Sequence, residues 1–222
     1  MKILIIAATL EEIEPLIQIM DSCEENKYDG LTGKYKDLEI SFVITGVGMV
    51  VTAIKTFYAL YKFDCKAVFN IGLCGSFNRN LEIGTVVNIV EDCFSELGAE
   101  DGDEFLTLDE LGLDGVTKIS SNYSKEQIGN YCVELLPKVN GITVNTVHGN
   151  EKSINDVIER YHPMVESMEG AAFMLVCQKY EILYAQIRAV SNYVERRNKK
   201  AWNIPLAIEN LNKKMIEILD AF

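Results

Sequence analysis

The apolar residues of this chain fall into short continuous runs, separated by segments in which they recur every three or four positions. Residues 2–8 are the first run, the pattern of a strand buried on both faces, and residues 11–21 then follow as an amphipathic helix. Residues 205–222 again carry apolar side chains at helical spacing. This alternation predicts an α/β fold, a three-layer α/β/α sandwich around a mixed, largely parallel sheet.

The same patterns predict the elements in between. Strands are expected over residues 27–35, 39–45, 66–71, 85–94, 142–147, just before Met168, and over 182–190, and helices over 49–62, 125–136, 151–161 and 170–180. No repeat or linker interrupts them, so residues 1–222 are expected to form one domain. Residues 95–115 are acidic and rich in glycine, which predicts a loop that is a solvated excursion, a lid or a subunit contact.

Charge and hydropathy exclude several classes of partner. With 21 basic and 33 acidic residues the net charge is −12, which disfavours binding to nucleic acid or to an anionic membrane. The one basic cluster, residues 196–200, lacks interleaved aromatic side chains and is equally compatible with a surface turn. The apolar run at residues 2–8 is too short to span a membrane, and the acids that follow it argue against a signal peptide.

Cysteine and histidine usage indicates a cytoplasmic protein without a metal. The six cysteines form no CxxC pair and mostly lie within apolar runs, as small buried hydrophobic residues do in a reducing compartment. Only two histidines are present, and no carboxylates cluster with the spacing of metal ligands. We therefore expect neither a metal nor a cofactor.

Two acids stand where an apolar strand gives way to a helix. Glu169 is followed by Gly-Ala-Ala, and Glu12 follows the first strand. Each is compatible with a helix N-terminal charge, an interpretation that we adopt for Glu11. Small residues beside an acid at the carboxyl end of a strand also fit a ligand site, because open α/β sheets bind ligands there.

Glycines follow two further strands. Gly46 and Gly48 are reminiscent of a dinucleotide-binding turn, but Val51 stands where the third glycine should be, so dinucleotide binding is disfavoured. Gly72 and Gly75 bring backbone amides close to a ligand. Together with Glu12, Glu169 and the Ser191-Asn192 pair, they predict a site for a small polar ligand with vicinal hydroxyls.

At these residues the chain resembles the superfamily of nucleoside phosphorylases and nucleosidases, in particular the methylthioadenosine/adenosylhomocysteine nucleosidases and the futalosine hydrolases. The resemblance covers nearly the full length, and its motifs are the acidic loop around Glu12, GVG at 46–48, NIGxCG at 70–75, SMEGAAF at 167–173 and RAVSN at 188–192. It implies the nucleoside phosphorylase-like fold, a purine nucleoside as substrate, and a homo-oligomer, most commonly a dimer.

The resemblance also implies roles for individual residues. Glu12 matches the carboxylate that activates water, Met168 packs against the ribose, Glu169 accepts from the ribose hydroxyls, and Asn192 faces N7 and the group at C6 of the base. The remaining matched positions, expected to contact substrate, are Leu73, Gly75, Ser191 and Arg188. Leu73 departs from the family, because the adenine-specific enzymes commonly have serine there.

Asn192 is the second departure, since the adenine-specific nucleosidases have an aspartate that protonates N7. Asn cannot supply a proton, but its carbonyl can accept from N7–H while its amide donates to a 6-oxo group. An adenine amino group would instead leave that amide unpaired, at a cost of roughly 1–3 kcal/mol. A 6-oxopurine nucleosidase such as the futalosine hydrolases of menaquinone biosynthesis is therefore expected. Adenine release from methylthioadenosine, adenosylhomocysteine or aminofutalosine is the alternative.

Other functional classes are weighed against hydrolysis. The first loop has two acids and no cation to hold phosphate, which argues against a phosphorylase. A non-catalytic nucleoside sensor would have no need of Glu12. Arg196 or Arg197 is a candidate partner for the benzoate carboxylate of futalosine, with a surface turn at least as plausible. Phe105 is a candidate contact to a neighbouring subunit, and the backbone groups that hold the base near residues 148–153 are not assigned.

Overall fold

The computed structural model describes residues 1–25, 30–123 and 131–222. Twelve strands are described: β1 Lys2–Ala7, β2 Ser22–Glu25, β3 Gly30–Tyr35, β4 Leu38–Ile44, β5 Ala67–Ser76, β6 Val86–Phe94, β7 Gly98–Asp101, β8 Glu104–Thr107, β9 Lys118–Ser120, β10 Lys138–Thr143, β11 Val165–Ser167 and β12 Tyr184–Tyr193. The α-helices are α1 Glu14–Gln18, α2 Met49–Lys62, α3 Glu151–Tyr161, α4 Gly170–Lys179 and α5 Ile204–Asp220, and a 3₁₀ turn covers Lys199–Ala201.

One mixed sheet organises the molecule, in the order β11-β10-β6-β12-β5-β1-β4-β3-β2, with β9 added beside β6. β1 is parallel to both of its neighbours, β4 and β5, and β5 is parallel to β12. Residues 3–7 of β1 are buried, as a strand covered on both faces requires. The carboxyl ends of β1, β5 and β12 consequently lie at the same edge of the sheet.

Helices cover both faces of this sheet. On one face α1 and α5 contribute Leu16, Leu211 and Met215 to a core shared with Ile5 and Phe69. On the other face α2 and α4 pack against each other, and their apolar residues join a second core that includes Leu4 and Val68. The predicted three-layer α/β/α arrangement with a mixed sheet is confirmed.

A short strand closes one end of the sheet. β11 is parallel to β10 but also pairs antiparallel with the end of β5, with Val165 opposite Ser76 and Glu166 opposite Gly75. The residues that follow β11 then reach β12, where Glu169 Oε2 lies 3.9 Å from Arg188 Nη1. This pairing brings residues 167–170, the SMEG segment, to the carboxyl end of β5, one of the strand ends at which the sequence predicts a ligand site.

Several predicted elements differ from those observed. The helix predicted over 11–21 is confined to Glu14–Gln18, because residues 11–13 form a turn and Pro15 stands in its first turn. The strand predicted over 142–147 lies instead at Lys138–Thr143. The loop predicted over 95–115 contains a two-stranded hairpin, β7 and β8. Strands β2 and β9 were not predicted.

Two predicted elements extend beyond the described residues. Residues 27–29 of the strand predicted over 27–35 and residues 125–130 of the helix predicted over 125–136 lie outside the described ranges, and residues 132–135 form turns. None of the helices in the described parts of the chain has the length and apolar character needed to span a bilayer.

Candidate active site

Glu12 is held at the end of β1 by three backbone amides. Its Oε2 atom accepts hydrogen bonds from the amides of Ala8 at 3.1 Å and Thr9 at 3.0 Å, and Oε1 accepts from Leu73 at 3.1 Å. The residue is only 9% exposed. The carboxylate therefore bridges the ends of β1 and β5. Glu12 lies in the turn that follows β1, and α1 begins only at Glu14.

The environment of Glu12 suits a general base. Burial raises its pKa above the usual value, opposed by the charge of Arg188 and by the amides of Thr9 and Leu73, and Glu169 adds to the rise. A carboxylate whose pKa lies closer to neutral accepts a proton more readily than an ordinary one. Glu12 can thus take a proton from water without leaving the site.

Glu169 turns away from the helix that it precedes. It occupies the N-cap position of α4 but makes no side-chain capping bond, and Thr143 instead accepts from the Ala171 amide at 2.7 Å. The Glu169 Oε1 atom accepts from the Gly48 amide at 3.1 Å, and Oε2 from the Met168 amide at 3.3 Å. The helix-charge interpretation of Glu169 is therefore disfavoured, because its carboxylate faces the GVG segment.

Gly48 can orient its amide in this way because it lacks a side chain. Its φ angle is 109°, a conformation that residues with a Cβ atom rarely adopt. In this structure the GVG segment donates the Gly48 amide to the Glu169 carboxylate. In a dinucleotide-binding turn the glycines would instead bring the backbone close to a pyrophosphate.

A single buried guanidinium lies between the two acids. Arg188 is fully buried, its Nη1 atom is 3.9 Å from Glu169 Oε2, and its Nη2 atom donates to Asn70 Oδ1. A methyl group on Gly72 would clash with Arg188 Nη1 and lie 2.8 Å from Glu12 Oε1. Gly72 therefore leaves room for the guanidinium to lie beside Glu12.

Asn192 follows a bulge in β12. The register with β5 shifts between Val190 and Asn192, which re-aims the side chains that follow. The Ser191 hydroxyl donates to Asn192 Oδ1 at 2.8 Å, and Asn192 Nδ2 donates to the Tyr193 carbonyl at 3.0 Å. A methyl group on Gly75 would lie 3.3 Å from Nδ2, so Gly75 adjoins the amide. One Nδ2 hydrogen and one Oδ1 lone pair remain for a ligand.

Comparison with known proteins assigns the family. The phosphorylase superfamily model matches residues 2–222. The chain belongs to the phosphorylase superfamily. A futalosine hydrolase of Acidothermus cellulolyticus is 30% identical over 95% of this chain and 87% of that protein. A 5′-methylthioadenosine/S-adenosylhomocysteine nucleosidase of Desulfotalea psychrophila is 26% identical over 99% of this chain and 95% of that protein.

Solved structures of the superfamily share the fold. The native structure of the futalosine hydrolase of Helicobacter pylori strain 26695 has a TM-score of 0.85 and 17% identity, covering 100% of this chain and 98% of that one. A nucleosidase of Neisseria meningitidis for 5′-methylthioadenosine and S-adenosylhomocysteine has a TM-score of 0.81 and 17% identity, covering 100% and 99%. At this identity the likeness establishes the fold alone.

Most of the site residues predicted for this superfamily member lie in two adjoining groups. The first surrounds one guanidinium, and its members are Glu12, Leu73, Met168, Glu169 and Arg188. The second lies beside it at the ends of β5 and β12, and its members are Gly75, Ser191 and Asn192. Leu73 contributes its backbone amide to Glu12, which any residue except proline would supply at that position.

The two arginines of the basic cluster differ in position. Arg197 lies over the ring of Trp202, 5.2 Å from its centroid, and both line a cavity of about 170 Å³ with Asn192. Arg196 is exposed and is not among the residues that line this cavity. Arg197 thus lies in the cavity next to Asn192, whereas Arg196 does not.

Phe105 belongs to the hairpin formed by β7 and β8. The guanidinium of Arg160 on α3 lies 4.1 Å from the centroid of its ring. Both residues line a cavity of about 430 Å³ between the hairpin and α3 that also includes His148. Phe105 therefore packs within its own chain, in a cavity that His148 also lines.

Asp92 is a buried acid that sequence analysis missed. It is 1% exposed, and it accepts from the Thr143 hydroxyl at 3.0 Å and from Gln186 Nε2 at 2.8 Å. Burial raises its pKa to about 7, against the opposing effects of Thr143 and Arg188. The available signal was its position inside the strand predicted over residues 85–94.

The segment after β10 uses its polar groups internally. The His148 amide donates to Glu166, and Asn150 caps α3 by accepting from the amides of Lys152 at 2.9 Å and Ser153 at 3.4 Å. Sequence analysis singled out neither His148 nor Glu166 as a functional side chain. Within the described ranges, no group of three or more His, Cys, Asp or Glu residues has an arrangement suited to a metal ion.

Proposed function

We propose that this chain hydrolyses the N-glycosidic bond of futalosine, releasing hypoxanthine and dehypoxanthinyl futalosine in menaquinone biosynthesis. The observation that carries the proposal is an amide, Asn192, next to a site in which two carboxylates, Glu12 and Glu169, face one guanidinium. The 30% identity with a futalosine hydrolase over nearly the whole chain supports the same substrate.

In this proposal Glu12 activates the water that attacks C1′. Its carboxylate is already held by three amides, so proton transfer from water requires no movement of the side chain. Glu169 accepts from the ribose hydroxyls, and Met168 packs against the sugar. Cleavage of an N-glycosidic bond develops positive charge on the ribose, which two neighbouring carboxylates stabilise.

Hydrolysis is favoured over phosphorolysis by the charges at the sugar site. Arg188 is the cation beside Glu12 and Glu169, and its charge is shared between these two acids. A phosphate dianion would have to approach both carboxylates without a further cation in the loop of residues 7–12. Water carries no charge and meets no such repulsion.

The orientation of the Asn192 amide favours a 6-oxopurine. Because the Ser191 hydroxyl donates to Oδ1 and the Tyr193 carbonyl accepts from Nδ2, the oxygen and nitrogen positions are consistently assigned. Nδ2 then donates to O6 while Oδ1 accepts from a protonated N7. An adenine amino group would meet the same Nδ2 donor, and this mismatch disfavours the adenine alternative.

The group on the 5′ side of futalosine has a matching environment. The Gly48 amide donates to Glu169, and the next residue, Met49, lines an apolar cavity of about 440 Å³. Phe94 and Leu175 line it further, and Lys179 lies at its border. An aromatic ring with a carboxylate fits this composition, and Lys179 is the candidate partner for that carboxylate in this cavity. Arg197 lines the separate cavity beside Asn192, and Arg196 lines neither cavity, so both arginines are less well placed for this role.

One assay tests the proposed substrate. The protein is incubated with futalosine, aminofutalosine and methylthioadenosine, and the released base is identified by chromatography. Release of hypoxanthine from futalosine at the highest kcat/KM is the expected result. Faster release of adenine from either of the other two nucleosides would favour the alternative nucleosidase. Tight binding of a nucleoside without turnover would favour a sensor.

The chain is also proposed to act as a homodimer in the cytoplasm. Exposed apolar residues follow the outer face of α2 at helical spacing: Val50 70% exposed, Ile54 63%, Phe57 58% and Tyr61 69%. A continuous apolar stripe of this kind is typical of a protein interface. The hairpin within residues 95–115 is a candidate lid or subunit contact. Light scattering of the wild type and of Ile54→Lys tests the oligomeric state, which the substitution is expected to reduce.

A further inference from the structure

The partly buried His148 and the buried Glu166 form a pair that lines the same cavity as the amide of Asn192. His148 Nδ1 lies 2.6 Å from Glu166 Oε2, and the His148 backbone amide donates to the two oxygens of the same carboxylate at 3.1 and 3.4 Å. The Glu166 side chain is 3% exposed and that of His148 14%. Attachment through both ring and backbone fixes the imidazole and leaves Nε2 as the nitrogen that can meet a ligand.

Gly75 connects this pair to Asn192. Glu166 on β11 and Asn192 on β12 both have Gly75 of β5 as their register partner. A methyl group on Gly75 would lie 3.3 Å from Asn192 Nδ2 and 3.5 Å from Glu166 Cγ. His148, Glu166, Gly75 and Asn192 line the same cavity of about 170 Å³. Glycine therefore keeps open the space between the Asn192 amide and the Glu166 side chain that holds the imidazole.

The proposed reaction still needs a residue that donates a proton to the departing purine. A purine leaves with the electron pair of the C1′–N9 bond and needs a proton to neutralise it. Asn192 can orient the base but has no proton to give. The imidazole of His148 lines the same cavity, histidine is the side chain that most often acts as a general acid, and a carboxylate hydrogen-bonded to one ring nitrogen orients the ring.

We propose that His148, held by Glu166, donates the proton to the departing base, while Asn192 orients that base. This inference rests on the proposed nucleosidase function. Nε2 of His148 is the donor and makes His148 a catalytic residue. Glu166 is a positioning residue, since it acts on the base only through the imidazole.

The step balances without a further reactant. Water gives one proton to Glu12 and its oxygen bonds to C1′ as the C1′–N9 bond breaks. The bonding pair moves onto the purine, which takes a proton at N7 from His148 Nε2, and the new N7–H then donates to Asn192 Oδ1. Glu12 then releases its proton to solvent, and the imidazole takes one from solvent. The products are the free sugar hydroxyl and the neutral base.

A purely structural role would predict a different response to substitution. If the pair only anchored the segment after β10, removing the imidazole would affect every substrate equally. A proton donor matters only for a leaving group that needs a proton. The acidity of the leaving group therefore separates the two roles.

The experiment compares His148→Gln and Glu166→Gln with the wild type on two substrates. With the 6-oxopurine nucleoside, we expect kcat to fall about 100- to 10,000-fold for His148→Gln, the usual range for general acid catalysis, and less for Glu166→Gln. With p-nitrophenyl β-riboside, whose leaving group departs as an anion, we expect less than a threefold change. Glu12→Gln should lose activity on both substrates.

Two further variants make the result interpretable. His162→Asn is the matched control, because His162 is exposed at the end of α3 with a φ angle of 46° that asparagine tolerates, and its activity should be unchanged. His148→Gly should regain at least tenfold activity on the nucleoside when imidazole is added. This rescue decides the question if the wild type does not cleave the riboside.

The outcomes separate this inference from the function on which it rests. A wild-type protein that cleaves none of the three nucleosides rejects both. An active wild type with a His148→Gln variant of equal kcat, or a variant that loses both substrates alike and is not rescued by imidazole, rejects only the role of His148. Thermal melting of each variant shows whether loss of activity follows loss of the fold.

Discussion

The Nη1 atom of Arg188 lies 3.9 Å from the Oε2 atom of Glu169, and the guanidinium is fully buried. Among the residues that the structure describes, neither Nη1 nor Nε of Arg188 has a hydrogen-bond partner. The positive charge nevertheless opposes the rise in pKa of both Glu12 and Asp92. One cation thus favours the ionised form of two buried acids.

Removal of this charge should shift the pH dependence of the enzyme. In Arg188→Gln the pKa of Glu12 rises further, so the acid limb of the kcat/KM profile moves to higher pH. Breaking a buried ion pair also costs roughly 3–5 kcal/mol of unfolding free energy. A pH–rate profile and urea denaturation measure the two effects. Arg188→Lys keeps the charge and should shift the limb less, and an unmoved limb in Arg188→Gln would contradict this role.

Glu12→Gln should separate binding from turnover. The amide has nearly the shape of the carboxylate and its oxygen can still accept from Ala8 and Thr9, but its NH₂ group meets the Leu73 amide and cannot accept a proton from water. We expect kcat to fall about 10²- to 10⁴-fold while nucleoside affinity changes modestly. Single-turnover assays and titration calorimetry measure both quantities, and unchanged turnover would remove Glu12 from the mechanism.

The layers of the fold could be predicted because local patterns determine them. The apolar run in β1 and the helical spacing in α2 are properties of neighbouring residues, and the structure has both elements where expected. Placing Glu12 and Glu169 near one another followed from the rule that ligands bind at strand carboxyl ends. The short α1 was missed because the Glu12 carboxylate binds amides of the preceding turn, a preference that helical periodicity does not reveal.

Buried polar partnerships were not predictable in the same way. Asp92 is paired with Thr143 and Gln186, which are 51 and 94 residues away along the chain. His148 and Glu166 meet only because β11 folds back against β5. Such contacts depend on the order of the strands in the sheet and on the antiparallel pairing of β11 with β5. A strand of only three residues, such as β11, gives too short a sequence pattern to predict that pairing.

Asn192→Asp should relax the choice of base. A carboxylic acid at this position can donate from one oxygen to N7 while its other oxygen accepts from a 6-amino group, a pattern that the asparagine amide cannot provide. The preference for the 6-oxopurine over the adenine nucleoside, as a ratio of kcat/KM, is expected to fall roughly 5- to 150-fold, equivalent to about 1–3 kcal/mol. Competition assays with futalosine and aminofutalosine measure this ratio. Ser191→Ala, which removes the donor to Oδ1 but keeps the amide, should retain most of the preference.

Asp92 should make the stability of the protein depend on pH. Its pKa is about 7 in the folded protein against 3.8 ordinarily, so the folded state binds its proton more tightly. The resulting stabilisation is present below pH 4 and is lost as the pH rises to about 7, at up to about 1.4 kcal/mol per pH unit. Between pH 5 and pH 8 this loss amounts to about 2–3 kcal/mol.

Asp92→Asn should abolish that loss without removing the contacts of the carboxyl group. The amide oxygen can still accept from Thr143, and its NH₂ group can donate to Gln186 Oε1, which has no partner among the described residues, after rotation of the glutamine amide. Urea denaturation at pH 5 and pH 8 gives the change in unfolding free energy for the variant and the wild type. Glu91→Gln is the matched control, because Glu91 lies next to Asp92 but pairs at 2.7 Å with the exposed Lys118, and it should keep the wild-type dependence. An equal fall in stability in Asp92→Asn would assign the pH dependence to other groups.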